Sequence, residues 1–124
     1  MKINMNCLDT YALIEIYNGN PKFAKILFES FVIPDITMTE FYFVLLKDKG
    51  KDVAEHWLKK MQFYCYPVEL ETMIKAVEFK LENKKENLSF FDCFGYIYAI
   101  EKNYFFVTGD KKFRNRKNVR FIKK

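Results

Sequence analysis

The stretch Ser89-Phe90-Phe91-Asp92-Cys93-Phe94-Gly95-Tyr96-Ile97-Tyr98-Ala99, continued by Tyr104-Phe105-Phe106-Val107-Thr108-Gly109-Asp110, decides how this chain is read. Phe90, Phe94, Ile97 and Tyr98 recur at helical spacing behind Ser89, a helix-capping residue type. Tyr104 to Thr108 is a short apolar run closed by the turn signal Gly109-Asp110. A helix leading directly into a strand is half of a parallel crossover, and the same alternation continues outward from it.

Towards the amino terminus, Ile3 to Leu8 predicts a strand that ends at Asp9-Thr10, and Leu13, Ile16 and Tyr17 predict a helix lasting to Gly19-Asn20. Asn20-Pro21 opens a second helix with Phe23, Ile26 and Leu27 on one face, fading near Phe31. Val32 to Ile36 is a short apolar run whose proline suits a strand end or an edge strand. Thr37 begins a helix carrying Phe41, Val44 and Leu45 that stops near Lys49-Gly50. Ala54, Trp57, Leu58 and Met61 form the next stripe, and Phe63 to Tyr66 reads as an aromatic strand. Leu70, Met73, Ile74, Val77 and Leu81 mark the clearest helix, with an apolar stripe of the kind that turns toward a core. Val119 to Ile122 is a last short strand.

The connections are too long for hairpins, so the expected fold is α/β: a three-layer sandwich with a central, mostly parallel sheet flanked by helices. With 124 residues, 50% of them hydrophobic, and no linker or repeat, residues 1–124 are expected to form a single domain. No apolar run reaches the roughly 18 residues of a membrane span, and the first residues lack the apolar stretch of a secretory signal, so a cytoplasmic protein is expected. Cys7, Cys65 and Cys93 are odd in number and never spaced C-x-x-C, which argues against a disulfide framework and a thiolate metal site. His56 has no partner in sequence, and nucleotide-binding glycine motifs and the G-x-S-x-G element are absent.

Charge is unevenly placed. Lys111, Lys112, Arg114, Arg116, Lys117, Arg120, Lys123 and Lys124 crowd the last 14 residues without an acid. The first 110 carry 13 bases against 16 acids, a net −3. A basic segment beside an acidic body would steer a polyanion such as RNA, and a solvated basic tail is the plain alternative.

Ligands of open parallel sheets bind at the carboxyl ends of the strands, and acids recur there: Asp9, Glu40, Asp92 and Asp110. Each has a local explanation. Asp9 suits a helix cap, Thr37-x-x-Glu40 and Ser89-x-x-Asp92 match the capping-box pattern, and Gly109-Asp110 is an ordinary turn. Those explanations do not predict that all four share one sheet edge. Four converging carboxylates repel by about 3 kcal/mol per pair at roughly 5.5 Å and an effective dielectric near 20, so such a cluster takes up protons or holds a cation. An all-oxygen donor set suits Mg²⁺ or Mn²⁺ better than Zn²⁺.

Leu8-Asp9-Thr10-Tyr11-Ala12-Leu13-Ile14, Met38-Thr39-Glu40-Phe41, Leu88 to Ala99 around Asp92, and Val107-Thr108-Gly109-Asp110-Lys111-Lys112-Phe113 together resemble the PIN domain, including the VapC-type toxins. The likeness runs nearly end to end. It implies a Mg²⁺- or Mn²⁺-dependent ribonuclease with Asp9, Glu40, Asp92 and Asp110 lining the catalytic metal pocket, supported by Ser89 or Thr108. Lys111, Lys112, Arg114 and Arg116 would then position the RNA backbone. It also implies a homodimer and, for the toxins, an antitoxin partner that obstructs the site. Cys93 stands where the family commonly has alanine. The alternatives are a non-catalytic RNA-binding or scaffold module of the same fold and, further off, a phospho-accepting receiver, for which Tyr64-Cys65-Tyr66-Pro67 offers no acceptor aspartate.

Overall fold

The computed structural model describes residues 5–124. Five strands form one sheet: β1 (Asn6–Leu8), β2 (Phe31–Pro34), β3 (Cys65–Tyr66), β4 (Phe105–Thr108) and β5 (Val119–Phe121), in the order β3-β2-β1-β4-β5, with every neighbouring pair parallel. The helices are α1 (Thr10–Tyr17), α2 (Pro21–Ala24), α3 (Asp35–Lys49), α4 (Lys51–Met61), α5 (Leu70–Glu82) and α6 (Phe90–Lys102).

Strand side chains alternate between the two faces, and this alternation divides the interior in two. Leu8, Phe31, Ile33 and Val107 point into a cluster with Leu13, Phe23, Phe41 and Ala54, so α1 to α4 cover that face. Cys7, Val32 and Phe106 point into the other cluster, with Ala76, Cys93, Tyr96 and Ala99 of α5 and α6. That is the expected three-layer α/β sandwich. Among the described residues no helix is long and apolar enough to cross a membrane.

Several local expectations are corrected. Ile3, at the predicted start of the first strand, lies outside the described residues, and β1 begins at Asn6. The second helix keeps its cap, with the Asn20 side chain accepting from the Lys22 amide, but tightens into a 3₁₀ turn over Lys25–Phe28. The run with Pro34 is a strand with Pro34 at its end, one of the two placements expected for it, and β2 is an inner strand rather than an edge. α3 starts at Asp35 rather than Thr37, behind Pro34, and no side chain caps it. The aromatic run Phe63–Tyr66 is mostly a 3₁₀ turn, leaving Cys65–Tyr66 as a two-residue edge strand.

The largest correction concerns α5. Its inner side is made by Thr72 and Ala76, small enough to bring the helix close to α6, and is fastened by the Thr72 hydroxyl and Lys75 Nζ (2.9 Å), both bonding Glu101. Of the apolar stripe expected to face the core, Met73 packs inward, while Leu70, Ile74, Val77 and Leu81 point outward, with Leu70 70% and Leu81 69% exposed.

Candidate active site

After β1 the chain builds outward through β2 and β3, then returns to lay β4 along the other side of β1. The carboxyl ends of β1 and β4 are thus the topological switch point, where connections diverge and leave a crevice. Asp9 directly follows β1, its amide bonded to Val107 O of β4 (3.2 Å). Its side chain caps α1, Oδ1 accepting from the Ala12 amide at 2.8 Å. Asp9 is buried, 3% exposed, and Oδ2 has no hydrogen-bond partner. The Thr108 hydroxyl acts on this carboxyl, but its contact falls short of a hydrogen bond to Oδ2. Burial raises the Asp9 pKa well above the carboxylate range; Thr108 and the Ala12 amide oppose that rise, and the charges of Asp92 and Asp110 add to it.

Asp92 lies in the first turn of α6, whose N-cap Ser89 accepts from the Asp92 amide at 3.1 Å. Its pKa is pushed up to about 6, by burial first, with the Ser89 hydroxyl and Lys112 opposing and the charges of Glu40 and Asp110 contributing. Asp110 leaves β4 through Gly109, its amide held by Thr108 Oγ1 (3.0 Å) while its own Oδ1 accepts from the Lys112 amide (2.9 Å). Gly109 runs flush under Tyr11: a Cβ there would lie 2.2 Å from a ring carbon. Glu40, in the second turn of α3, is bound by the Thr10 hydroxyl through Oε1. The Thr37-x-x-Glu40 capping box does not form, since Thr37 is inside the helix and buried.

All four acids therefore gather around the switch point, with Asp92 sensing Glu40 and Asp110, and Asp9 sensing Asp92 and Asp110. They do not form a tight chelate. Among the described residues no three His, Cys, Asp or Glu side chains are close enough to enclose a metal ion. The donors still fit a hard cation, because Mg²⁺ keeps several of its own waters and takes only one or two carboxylates. A buried, partnerless Asp9 Oδ2 is such a donor.

The predicted basic residues separate. Lys112 reaches Asn87 O (3.0 Å) and faces Asp92. Lys111 is exposed, and Arg114 lies over the Phe121 ring. Arg116 is already engaged: it bonds Glu86 at 2.6 Å between the rings of Phe79 and Phe113. Thr10 was not singled out in the sequence; its only signal is a hydroxyl directly after Asp9, at the first position of α1. A concavity of about 600 Å³ at the opposite end of the sheet is lined by Asn6, Glu29 and Arg120, which bond one another.

The PIN domain family model matches residues 7–119. A comparison with curated proteins finds no match. Among solved structures, Mycobacterium tuberculosis VapC20, described as a sarcin-ricin loop cleaving toxin, superposes with a TM-score of 0.77 at 13% identity, over 96% of this chain and 98% of that one. A toxin–antitoxin complex from Klebsiella pneumoniae gives 0.72 at 17% identity, over 93% and 95%. DNA-bound VapBC from Salmonella typhimurium gives 0.71 at 15%, over 97% and 98%.

Proposed function

From the premise that this chain belongs to the PIN domain family, we propose that it is a divalent-metal-dependent endoribonuclease that hydrolyses RNA phosphodiester bonds, acting in the cytoplasm as the toxin of a toxin–antitoxin pair. The observation that carries this reading is the partnerless, buried Asp9 Oδ2 at the switch point, with Asp92 and Asp110 acting on the same carboxyl. Asp9, Glu40, Asp92 and Asp110 would hold Mg²⁺ or Mn²⁺. The cation, when bound, makes a water nucleophilic and offsets the charge that builds on the scissile phosphate.

The chain's own residues do the rest. Thr108 and the Ala12 amide orient Asp9, Thr10 orients Glu40, and Ser89 orients Asp92 at the helix start. Lys111, Lys112 and Arg114 position the RNA backbone beside these acids, while Arg116 serves the fold. The likeness to the Klebsiella pneumoniae toxin–antitoxin complex and to Salmonella typhimurium VapBC supports an antitoxin as protein partner, and the proposed assembly is a homodimer.

The test is cleavage of RNA by purified protein with Mn²⁺, set against Asp9→Asn and Asp92→Asn prepared identically. Metal-dependent cleavage that both substitutions abolish is expected; cleavage that survives them overturns the catalytic reading. The open spacing of the acids favours one second reading, an RNA-binding module of the same fold without turnover. It predicts salt-sensitive RNA binding and a melting temperature that Mn²⁺ leaves unchanged.

A further inference from the structure

Two phenylalanines open α6 directly in front of Asp92, Phe90 50% and Phe91 36% exposed. First turns of helices favour polar and acidic residues, so each exposed ring calls for a reason. Phe90 has one within the fold. It stacks on Phe94 one turn along, with ring centres 6.1 Å apart, and Lys80 Nζ lies 4.9 Å from its own ring centre. Among the described residues Phe91 pairs with no other ring and no cation, so the fold itself leaves its face unused.

The rows of α6 give Phe91 a direction, because residues four apart share a helix face. Phe91 shares its row with Gly95, where a Cβ would lie 3.4 Å from Thr37 Oγ1 of α3. Asp92 shares its row with Tyr96, whose ring packs on Phe113 (centres 5.3 Å apart) in the 3₁₀ turn Lys111–Phe113. Phe91 therefore stands on the α3 side of Asp92, the side of Glu40, and Lys112 stands on the other, its Nζ on Asn87 O (3.0 Å).

A polymer that crosses Asp92 thus meets an apolar ring on one flank and an ammonium on the other. An apolar protein side chain would answer the ring alone and leave Lys112 without a complement. One nucleotide answers both, with a phosphate for the cation and a flat base for the ring. The base has to be unpaired, since inside a double helix its faces are covered by its neighbours.

We propose that Phe91 is a positioning residue for RNA: an unpaired base beside the scissile phosphate stacks on its ring while Lys112 holds the adjoining phosphate. This inference rests on the reading of the site as RNA-cleaving and adds the hold on a base that the acids do not supply. Its consequence is a preference for unpaired over double-helical RNA with tolerance of base identity, because every base has a π face.

Fluorescence titrations of the full chain test it, with an unstructured RNA of about ten nucleotides carrying 2-aminopurine and with the same strand in a duplex. Ca²⁺ replaces Mn²⁺, and a gel checks that the strand stays intact. The expected result is quenching of 2-aminopurine on binding of the single strand. Phe91→Ala should remove the quenching and raise Kd for the single strand by about 10-fold. It should leave the duplex Kd and the salt-dependence slope unchanged, because a ring contacts no phosphate. Phe91→Tyr should restore both quenching and affinity. Phe28→Ala, on a ring 92% exposed ahead of β2 and so at the opposite sheet edge, should alter neither. Single-strand binding that is indifferent to Phe91→Ala overturns the proposal and leaves the ring to a protein partner. Equal weakening of single strand and duplex, or no RNA binding, also overturns it. Cleavage with Mn²⁺ is measured separately. Phe91-dependent binding without cleavage sinks only the nuclease reading, and cleavage with binding indifferent to Phe91 sinks only this inference.

Discussion

The Thr10 hydroxyl, at the start of α1, donates to Oε1 of Glu40 in α3, thirty residues further along the chain. The bond ties the element that carries Asp9 to the element that carries Glu40, so two acids of the proposed site share one support. Thr10→Val, which keeps the shape and removes the donor, is expected to lower kcat by about 10- to 100-fold through loss of positioning. Stability should fall by only about 1 kcal/mol. Thr10→Ser should restore most of the rate, and steady-state kinetics with melting curves separate the two effects.

Asp92 is held in a site that disfavours its charge, with its pKa raised to about 6. With cations chelated at pH 7.5, Asp92→Asn is expected to raise the melting temperature by several degrees, and with Mn²⁺ supplied it is expected to eliminate cleavage. A lower melting temperature would show that the buried charge is not the dominant cost.

Gly109 is required by contact rather than by its backbone angles. Gly109→Ala places a Cβ against the Tyr11 ring, which itself packs on Phe23 (centroids 5.9 Å apart), and is expected to cost about 1–3 kcal/mol. In a Tyr11→Ala background the cost should largely vanish. A denaturant double-mutant cycle reads that coupling.

Lys112 and Arg116 are expected to behave oppositely. Lys112→Ala should weaken RNA binding and reduce the magnitude of the salt-dependence slope by about 1, as for one lost phosphate contact. Arg116→Ala removes the bond to Glu86 and the stacking on Phe79 and Phe113, so it should destabilise by about 1–3 kcal/mol and leave the slope unchanged. Binding titrations at several salt concentrations distinguish them.

Acid should unfold the protein partly through Glu29, whose pKa is lowered first by its bond from Arg120 and further by Asn6. A carboxyl with a depressed folded-state pKa contributes stability that is present above its unfolded value, here 4.5, and lost as pH falls through the lower folded value. Glu101, lowered by Thr72 and Lys75, acts with the same sign. Glu29→Gln is therefore expected to flatten the fall in stability below about pH 4.5 and to change little in slope at neutral pH. Urea melts across that range check it.

Much of the fold is legible in residue order because its signals are local. Apolar runs such as Phe105-Phe106-Val107 lie between turn residues, and helices open at recognisable caps, as Asn20-Pro21 and Ser89 do. Less legible are features set by what lies across the molecule. Thr37-x-x-Glu40 has a capping pattern, yet the preceding proline already ends β2 and α3 starts two residues earlier. Periodicity shows that Leu70, Ile74, Val77 and Leu81 share a face but carries no sign for inward or outward; Thr72 and Ala76 won the inner position because α6 packs close to them.

The sequence by itself determined that strands and helices alternate, that four acids follow strand ends, and that the last 14 residues are basic, since each depends on neighbours within a few positions. Tertiary structure alone decided that β4 returns beside β1, so that Asp9 and Asp110 share an edge, that Asp9 Oδ2 is sealed without a partner, that Arg116 pairs with Glu86, and that α5 turns its apolar side to solvent. The physical reason is range: caps and periodicities are short-range properties of the chain, whereas burial, charge coupling and the side a helix hides depend on residues far apart in sequence that meet only when the layers close.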